Sequence, residues 1–169
     1  AVAIGLNMAA GAPAPSGDQF QPWYAVLLLF GLRMVNPTDG PLGAEPAWRG
    51  FAQPRFQSKW SPLASAAVLG LLITGWHMPL VFMPQFDLGF PDIASTVVVT
   101  FWYAWLFNRT GGSVLLPLIA HVTEGCVNTQ ALWSAGPHAD RHAWMWLISW
   151  GLLVVCLLIL DRKSWRTAP

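Results

Sequence analysis

Five apolar segments separated by polar stretches dominate this chain and predict membrane-spanning helices. They cover residues 22–36, 61–84, 92–107, 112–133 and 141–160. At 1.5 Å per helical residue, the second, fourth and fifth are long enough to cross a hydrocarbon core of about 30 Å. The first and third are short, so we expect them to extend by a residue or two or to be partly buried by neighbours. The pattern predicts an all-α fold, a polytopic transmembrane helical bundle, as a single membrane domain over residues 1–169.

The segment before the first span has a different character. Residues 1–11 are apolar but too short to span, and they lack the basic flank of a signal peptide. Since the chain does not begin with Met, we interpret this segment as the end of a helix cut by a fragment boundary. Residues 12–21 are rich in Pro, Gly and Ser and predict a loop.

Composition supports a membrane protein and narrows the partners. The chain is 54% hydrophobic and only 10% charged, with a mean hydropathy of +0.46, which is too apolar for a soluble domain of this size. Its eleven Trp residues suit interfacial anchoring and bundle packing. The net charge of +1 does not bear on nucleic-acid binding, but the sequence has no basic cluster of the kind that a phosphate backbone needs, so we expect no nucleic-acid partner. The first expected partner is therefore the lipid bilayer.

The distribution of Lys and Arg tests the number of spans, because these residues accumulate on the cytoplasmic side. Five spans leave Arg141 alone on one face and place all other basic residues on the opposite face: Arg33, Arg49, Arg55, Lys59, Arg109, Arg162, Lys163 and Arg166. The asymmetry predicts that the C-terminus and the connection of residues 40–60 are cytoplasmic.

Several polar residues lie inside the apolar segments. His77 is in the second span, and His121, Glu124 and Asn128 are in the fourth. The last three recur at helical spacing and so lie on one face, together with Gly125. A charge at the bilayer centre costs roughly 2.5–3.5 kcal/mol, so such groups indicate a functional cavity. The alternative is that they are hydrogen-bond partners between packed helices.

The connection between the first two spans carries a further charged pair. Glu45 and Arg49 are four residues apart and share a helical face if this segment is helical. We predict a short interfacial helix here. Taken alone, the pair also fits an exposed ion pair on a helix at the membrane surface, with Trp48, Phe51 and Phe56 in the lipid.

Spacing alone leaves the chemistry of these groups open. Two His residues from separate spans suit haem ligation, or zinc binding with a carboxylate and an activated water. The same groups suit a metal-free site in which Glu is the general base and His and Asn bind the oxyanion of a cleaved amide. All three alternatives place His77 and His121 near each other.

Three motifs in chain order resemble the CPBP intramembrane glutamic proteases, the family of CAAX prenyl endopeptidases and bacteriocin-processing proteins. They are GPLGAEPAWRGF at residues 40–51, WHMPL at 76–80, and NRTGGS at 108–113 leading to His121. The resemblance covers about residues 40–129. It implies a multi-pass protein of a bacterial cell membrane that hydrolyses peptide bonds of membrane-associated or prenylated substrates. It also implies that neither a cofactor nor a metal takes part.

The resemblance implies catalytic roles for five residues. Glu45 and Arg49 match the second Glu and the Arg of a Glu-Glu-x-x-x-Arg motif, and His77 matches the His that helps a Glu activate water. His121 matches the first position of a His-x-x-x-Asn/Asp motif implied to form the oxyanion hole. Gly125 stands at its last position, so we assign the missing amide's role to Asn128, one turn further along the same face.

The position of the water-activating Glu in the first motif is occupied by Ala44. Alanine cannot accept a proton from water, so the motif predicts a protease fold with its usual base missing. Three interpretations remain: an inactive member of the family, a natural variant in which Glu45 or Glu124 is the base, or an engineered Ala44. An inactive member would bind a membrane peptide or a partner protein without cleaving it.

Overall fold

The fold is an all-helical bundle, described here from a computed structural model. The structure describes residues 1–17, 22–38, 40–84, 86, 88–126, 132–133 and 136–167. Helix α1 covers Val2–Ala9, α2 Tyr24–Val35, α3 Gly40–Glu45 and α4 Gln53–Gln57. Helix α5 covers Pro62–His77, α6 Phe90–Arg109, α7 Leu115–Cys126 and α8 Pro137–Leu160. A π-helical segment, Pro46–Ala52, joins α3 to α4, and 3₁₀ turns follow α5 (Met78–Phe82) and α8 (Arg162–Trp165).

Three helical segments within the described ranges are long and apolar enough to cross a membrane. They are Pro62–Phe82, Phe90–Arg109 and Pro137–Leu160, and they correspond to the predicted second, third and fifth spans. The predicted first and fourth spans coincide with α2 and α7, which have twelve residues each and are about 18 Å long. The end of the predicted fourth span, residues 127–131, lies outside the described residues. The helical bundle is confirmed, and the number of spans is approximate.

Helix α6 is the centre of the bundle, with α5 and α8 packed along it. Small residues allow close approach of α5 and α6: Ala66 and Ala104 are fully buried. A Cβ on Gly70 would lie only 3.2 Å from the carbonyl oxygen of Val97. Such contacts between small residues are how helices associate in lipid, where burial of apolar surface gives no driving force.

The segment from α3 to α4 is fixed to α6 by a buried amide. The side chain of Gln53 is fully buried and its Nε2 donates to the carbonyl oxygen of Ala104 at 3.0 Å and to Oδ1 of Asn108 at 3.1 Å. These bonds are strong in a low-dielectric surrounding. The segment that carries Glu45 and Arg49 is therefore attached to the bundle and not only to the membrane surface.

The chain end after α8 also returns to α6. The Trp105 indole N–H donates to Oδ2 of Asp161 at 2.8 Å, and Nε of Arg109 lies 3.4 Å from the same oxygen. Trp165 in the last 3₁₀ turn is buried against Ala66 and Ala104. These contacts bring the ends of α6 and α8 to one side of the bundle.

Candidate active site

Those polar residues singled out in the sequence that the structure describes line one cavity of about 420 Å³ between the helices. Four of the five predicted catalytic residues are among its walls, namely Glu45, Arg49, His77 and His121. The fifth, Asn128, lies outside the described residues. The remaining lining residues include Arg33, Ala44, Trp48, Ile73, Trp76, Thr96, Thr100, Tyr103, Glu124, Gly125 and Trp146.

Glu45 and Arg49 form a buried ion pair at the cavity wall. Nε of Arg49 lies 3.4 Å from Oε2 of Glu45, and both residues are 1% exposed. The predicted i,i+4 contact is present, but the interpretation as an exposed surface pair is wrong, because the segment is fixed against α6 and α7. Burial lowers the pKa of Arg49, and the opposing charge of Glu45 partly offsets this effect.

His121 is attached to the same carboxylate from the other side. Its Nδ1–H donates to Oε1 of Glu45 at 2.8 Å, because a carboxylate oxygen can only accept at this contact. Both oxygens of Glu45 are thus directed at a basic group. The bond fixes the orientation of the His121 ring, with Nδ1 towards Glu45.

His77 is the last residue of α5 and is oriented by its own helix. Its Nδ1–H donates to the carbonyl oxygen of Ile73 at 2.8 Å, and the Trp76 ring packs edge-on against it with centroids 4.8 Å apart. Because Nδ1 carries the hydrogen, Nε2 of the neutral ring has the lone pair. This nitrogen is suited to accept a proton or a hydrogen bond from water.

Tyr103 contacts residues of α7 and of the segment between α3 and α4, and the sequence interpretation missed it. Its hydroxyl donates to Oε2 of Glu124. Its ring stacks on His121, with centroids 5.3 Å apart and an interplanar angle of 26°, and the Arg49 guanidinium lies 5.3 Å from the ring centroid. A tyrosine in the middle of an apolar span needs a partner for its hydroxyl, and that need is the signal by which the sequence could have indicated it.

Gly125 and Arg33 form a close contact on the α7 face. Nη1 of Arg33 donates to the carbonyl oxygen of Gly125 at 3.3 Å. A Cβ at position 125 would lie 2.5 Å from Nη2 and 2.6 Å from Cζ of Arg33, so a side chain there would require the guanidinium to move. The space that a side chain at this position would occupy is therefore filled by a guanidinium from α2.

Ala44 lines the cavity beside Glu45 and contributes only a methyl group. Two carboxylates, two imidazoles, two guanidiniums and a phenol share the remaining walls, a set that suits proton transfer and stabilisation of negative charge. Within the described ranges, no group of three His, Cys, Asp or Glu side chains is arranged to hold a metal ion.

Comparison with known proteins identifies the family of this chain. A comparison with curated proteins gives no match. The family model for type II CAAX prenyl endopeptidase Rce1-like proteins matches residues 21–127, which is well over half of the chain and includes every cavity residue named above except Trp146. The apolar helices agree with an integral membrane protein of this kind. The chain belongs to the Rce1-like family of type II CAAX prenyl endopeptidases, and thus to the CAAX-processing intramembrane proteases.

Proposed function

We propose that this chain hydrolyses peptide bonds of prenylated or membrane-associated proteins in the cavity, with Glu124 as the general base. The observation that carries the proposal is that Glu124 lines the same cavity as His77 and His121. It therefore supplies a carboxylate where Ala44 has none. Glu45 is less suited to this role because His121 and Arg49 engage its two oxygens.

The proposed step is attack of a water molecule on the carbonyl carbon of the substrate amide. The Glu124 carboxylate accepts one proton of the water, while Nε2 of His77 accepts a hydrogen bond from the other. The Tyr103 hydroxyl orients the Glu124 carboxylate through the second oxygen. When the tetrahedral intermediate collapses, the C–N bond breaks and the proton passes from Glu124 to the leaving amine.

His121 has the complementary role of stabilising negative charge. Paired with Glu45 through Nδ1, the doubly protonated form of the ring has an N–H at Nε2 with which to bind the carbonyl oxygen as that oxygen becomes an anion. A donor of this kind in a water-poor site is worth about 2.7–4 kcal/mol of transition-state stabilisation. Asn128 stays the predicted second donor.

The test is cleavage of a quenched fluorescent, prenylated peptide by the purified chain in detergent. We expect the unaltered chain to cleave it and Glu124→Gln to be slower by about 10²-fold or more, the usual contribution of a general base. Asp140→Asn removes an exposed carboxylate at the start of α8 and is the matched control. Full activity in Glu124→Gln would contradict the assignment of the base.

A second candidate function is peptide binding without hydrolysis, and it is favoured by Ala44. A cavity that has lost its usual proton acceptor retains its shape and charge for binding a lipidated tail. Ala44→Glu separates the two proposals. If the unaltered chain binds the peptide without cleaving it and Ala44→Glu cleaves, the binding function is supported and the proposed hydrolysis is contradicted.

A further inference from the structure

We propose that Trp146 contacts the isoprenoid group of the substrate and limits the length of isoprenoid that the cavity accepts. The inference rests on the prenylated substrate class proposed above. Trp146 lines the cavity from α8. It lies beyond residues 21–127, which match the family model, so the family match assigns it no role.

The position of Trp146 along the bundle follows from two contacts between α6 and the chain of α8. The ring centroids of Trp102 and Trp150 are 5.0 Å apart, and the Trp105 indole donates to Asp161. The residue numbers rise together in these two pairs, so α6 and α8 run in the same direction. Trp146 is one turn before Trp150. It is therefore level with the turn of α6 that precedes Trp102, about 5 Å from it along the helix axis.

That turn of α6 and Trp146 form an apolar side of the cavity. Val99, Thr96 and Thr100 line it. The two hydroxyls donate to carbonyl oxygens of their own helix, that of Thr96 to Asp92 at 3.3 Å and that of Thr100 to Thr96 at 2.8 Å. Among the described lining residues, the carboxylates, guanidiniums and imidazoles come from α2, α5, α7 and the segment from α3 to α4. A hydrocarbon chain is therefore expected on the apolar side, where its burial leaves no charged group without water.

Neighbouring rings hold the Trp146 indole in place. The Trp150 ring, one turn later, packs edge-on against it with centroids 5.8 Å apart and an interplanar angle of 85°. The His142 ring, one turn earlier, has its centroid 6.3 Å away. Because protein interiors are close-packed, the indole cannot turn aside without displacing these neighbours. It is therefore a fixed boundary of the apolar side.

Isoprenoids of two lengths occur on substrates of this class. The cysteine of a CAAX segment carries either a farnesyl or a geranylgeranyl group, and the second is longer by one isoprene unit. An apolar pocket discriminates by about 10-fold to 200-fold for a single methylene. A fixed indole at the boundary of a cavity of about 420 Å³ is therefore expected to favour the shorter farnesyl group.

The test compares two peptides that differ only in the isoprenoid, farnesyl or geranylgeranyl. A ketomethylene group replaces the scissile amide in both, so binding to the detergent-solubilised chain is measured without turnover. We expect Trp146→Ala to change the ratio of the two dissociation constants by about tenfold or more in favour of geranylgeranyl. Trp144→Ala removes an exposed indole of the same helix, outside the cavity walls, and should keep the ratio of the unaltered chain. Partition of the peptides into detergent is common to all variants and cancels when their ratios are compared.

A photoreactive diazirine at the far end of the farnesyl group locates the isoprenoid in the unaltered chain, whatever the stability of the variants. We expect crosslinks at Trp146 and its neighbours on α8 and α6, identified by mass spectrometry, and we expect unlabelled peptide to reduce them. Crosslinks on α2 or α5 instead, or crosslinks that unlabelled peptide does not reduce, would overturn the proposal.

The same ratio of dissociation constants in Trp146→Ala and in the unaltered chain would also overturn it. If neither peptide binds, the proposed substrate class is wrong and the role of Trp146 fails with it. If both peptides bind but the corresponding amides are not cleaved, only the proposed hydrolysis is contradicted, and the binding ratios still decide the role of Trp146.

Discussion

Oε1 of Glu45 and Nδ1 of His121 lie 2.8 Å apart, although 76 residues separate them in the chain. The same carboxylate faces Arg49 through its other oxygen. A single buried side chain thus joins the segment before α5 to α7.

We expect Glu45→Ala to lower the free energy of unfolding by about 3–5 kcal/mol, because it leaves Arg49 buried and unpaired. The double variant with Arg49→Met should lose less, since no uncompensated charge remains. Unfolding of the detergent-solubilised chain by denaturant measures both. If the loss of unfolding free energy in the double variant equals the sum of the losses in Glu45→Ala and Arg49→Met, the two residues are not coupled.

The Tyr103 hydroxyl is expected to matter for activity and its ring for stability. Tyr103→Phe removes the donor to Glu124 but keeps the stack on His121, so kcat/KM for the prenylated peptide should fall by about 10-fold to 100-fold. The unfolding midpoint should change little. Tyr24→Phe, on an exposed ring at the start of α2, is the matched control and should have no effect on either quantity.

The close approach of α5 and α6 leads to opposite expectations for two glycines of one helix. Gly70→Ala places a methyl group 3.2 Å from the Val97 backbone, and overpacking of this kind costs about 1–3 kcal/mol. Gly75 has no neighbouring atom within 4 Å of its Cβ position, so Gly75→Ala should stabilise by up to about 1 kcal/mol through helix propensity. Thermal unfolding midpoints that move in the same direction would contradict the packing of α5 against α6.

The ionisation of Asp161 predicts the direction in which the stability of the fold changes with pH. The hydrogen bond from the Trp105 indole, followed by that from the Ser164 hydroxyl and by the charge of Arg109, lowers the pKa of Asp161 below its ordinary value of 3.8. A carboxyl whose native pKa is lowered stabilises the fold above the unfolded pKa, and this stabilisation is lost as the pH falls through the native pKa. We therefore expect the unaltered chain to be more stable than Asp161→Asn at pH 6 and the difference to decrease as the pH falls through the lowered native pKa of Asp161.

Melting curves of both proteins between pH 2 and pH 7 measure this difference, with Asp140→Asn as a control that should track the unaltered chain. A stability difference between Asp161→Asn and the unaltered chain that does not depend on pH would show that the indole bond does not depend on the carboxylate charge.

The sequence predicted the helical bundle, because apolar segments and helical spacing are local properties. It also named four catalytic candidates that the structure places at one cavity. It did not predict the burial of Glu45 and Arg49. The pattern Glu-x-x-x-Arg suits a surface helix equally well, and only the contacts of Gln53 with α6 decide between them. The roles of these residues in catalysis stay predictions, as does the cytoplasmic position of the C-terminus.

The sequence pattern did not predict the contacts of Arg33 and Tyr103, for different reasons. Arg33 has the position of an ordinary cytoplasmic charge at the end of a span, and its contact with Gly125 joins residues 92 positions apart. Tyr103 lies within an apolar span, and the need of its hydroxyl for a partner does not tell which residue supplies that partner. In both cases the decisive partner is on another helix, and spacing within one helix contains no information about it.

The long separation between Glu45 and His121 also sets an order of events during synthesis. At about 5–20 residues per second, a ribosome needs several seconds to add the residues between them. Until α7 has been inserted, Glu45 has Arg49 as its nearby partner and lacks its contact with His121. The cavity is therefore completed late in biogenesis, and an emerging chain that stops before α7 would present a neutralised ion pair and no place for a substrate.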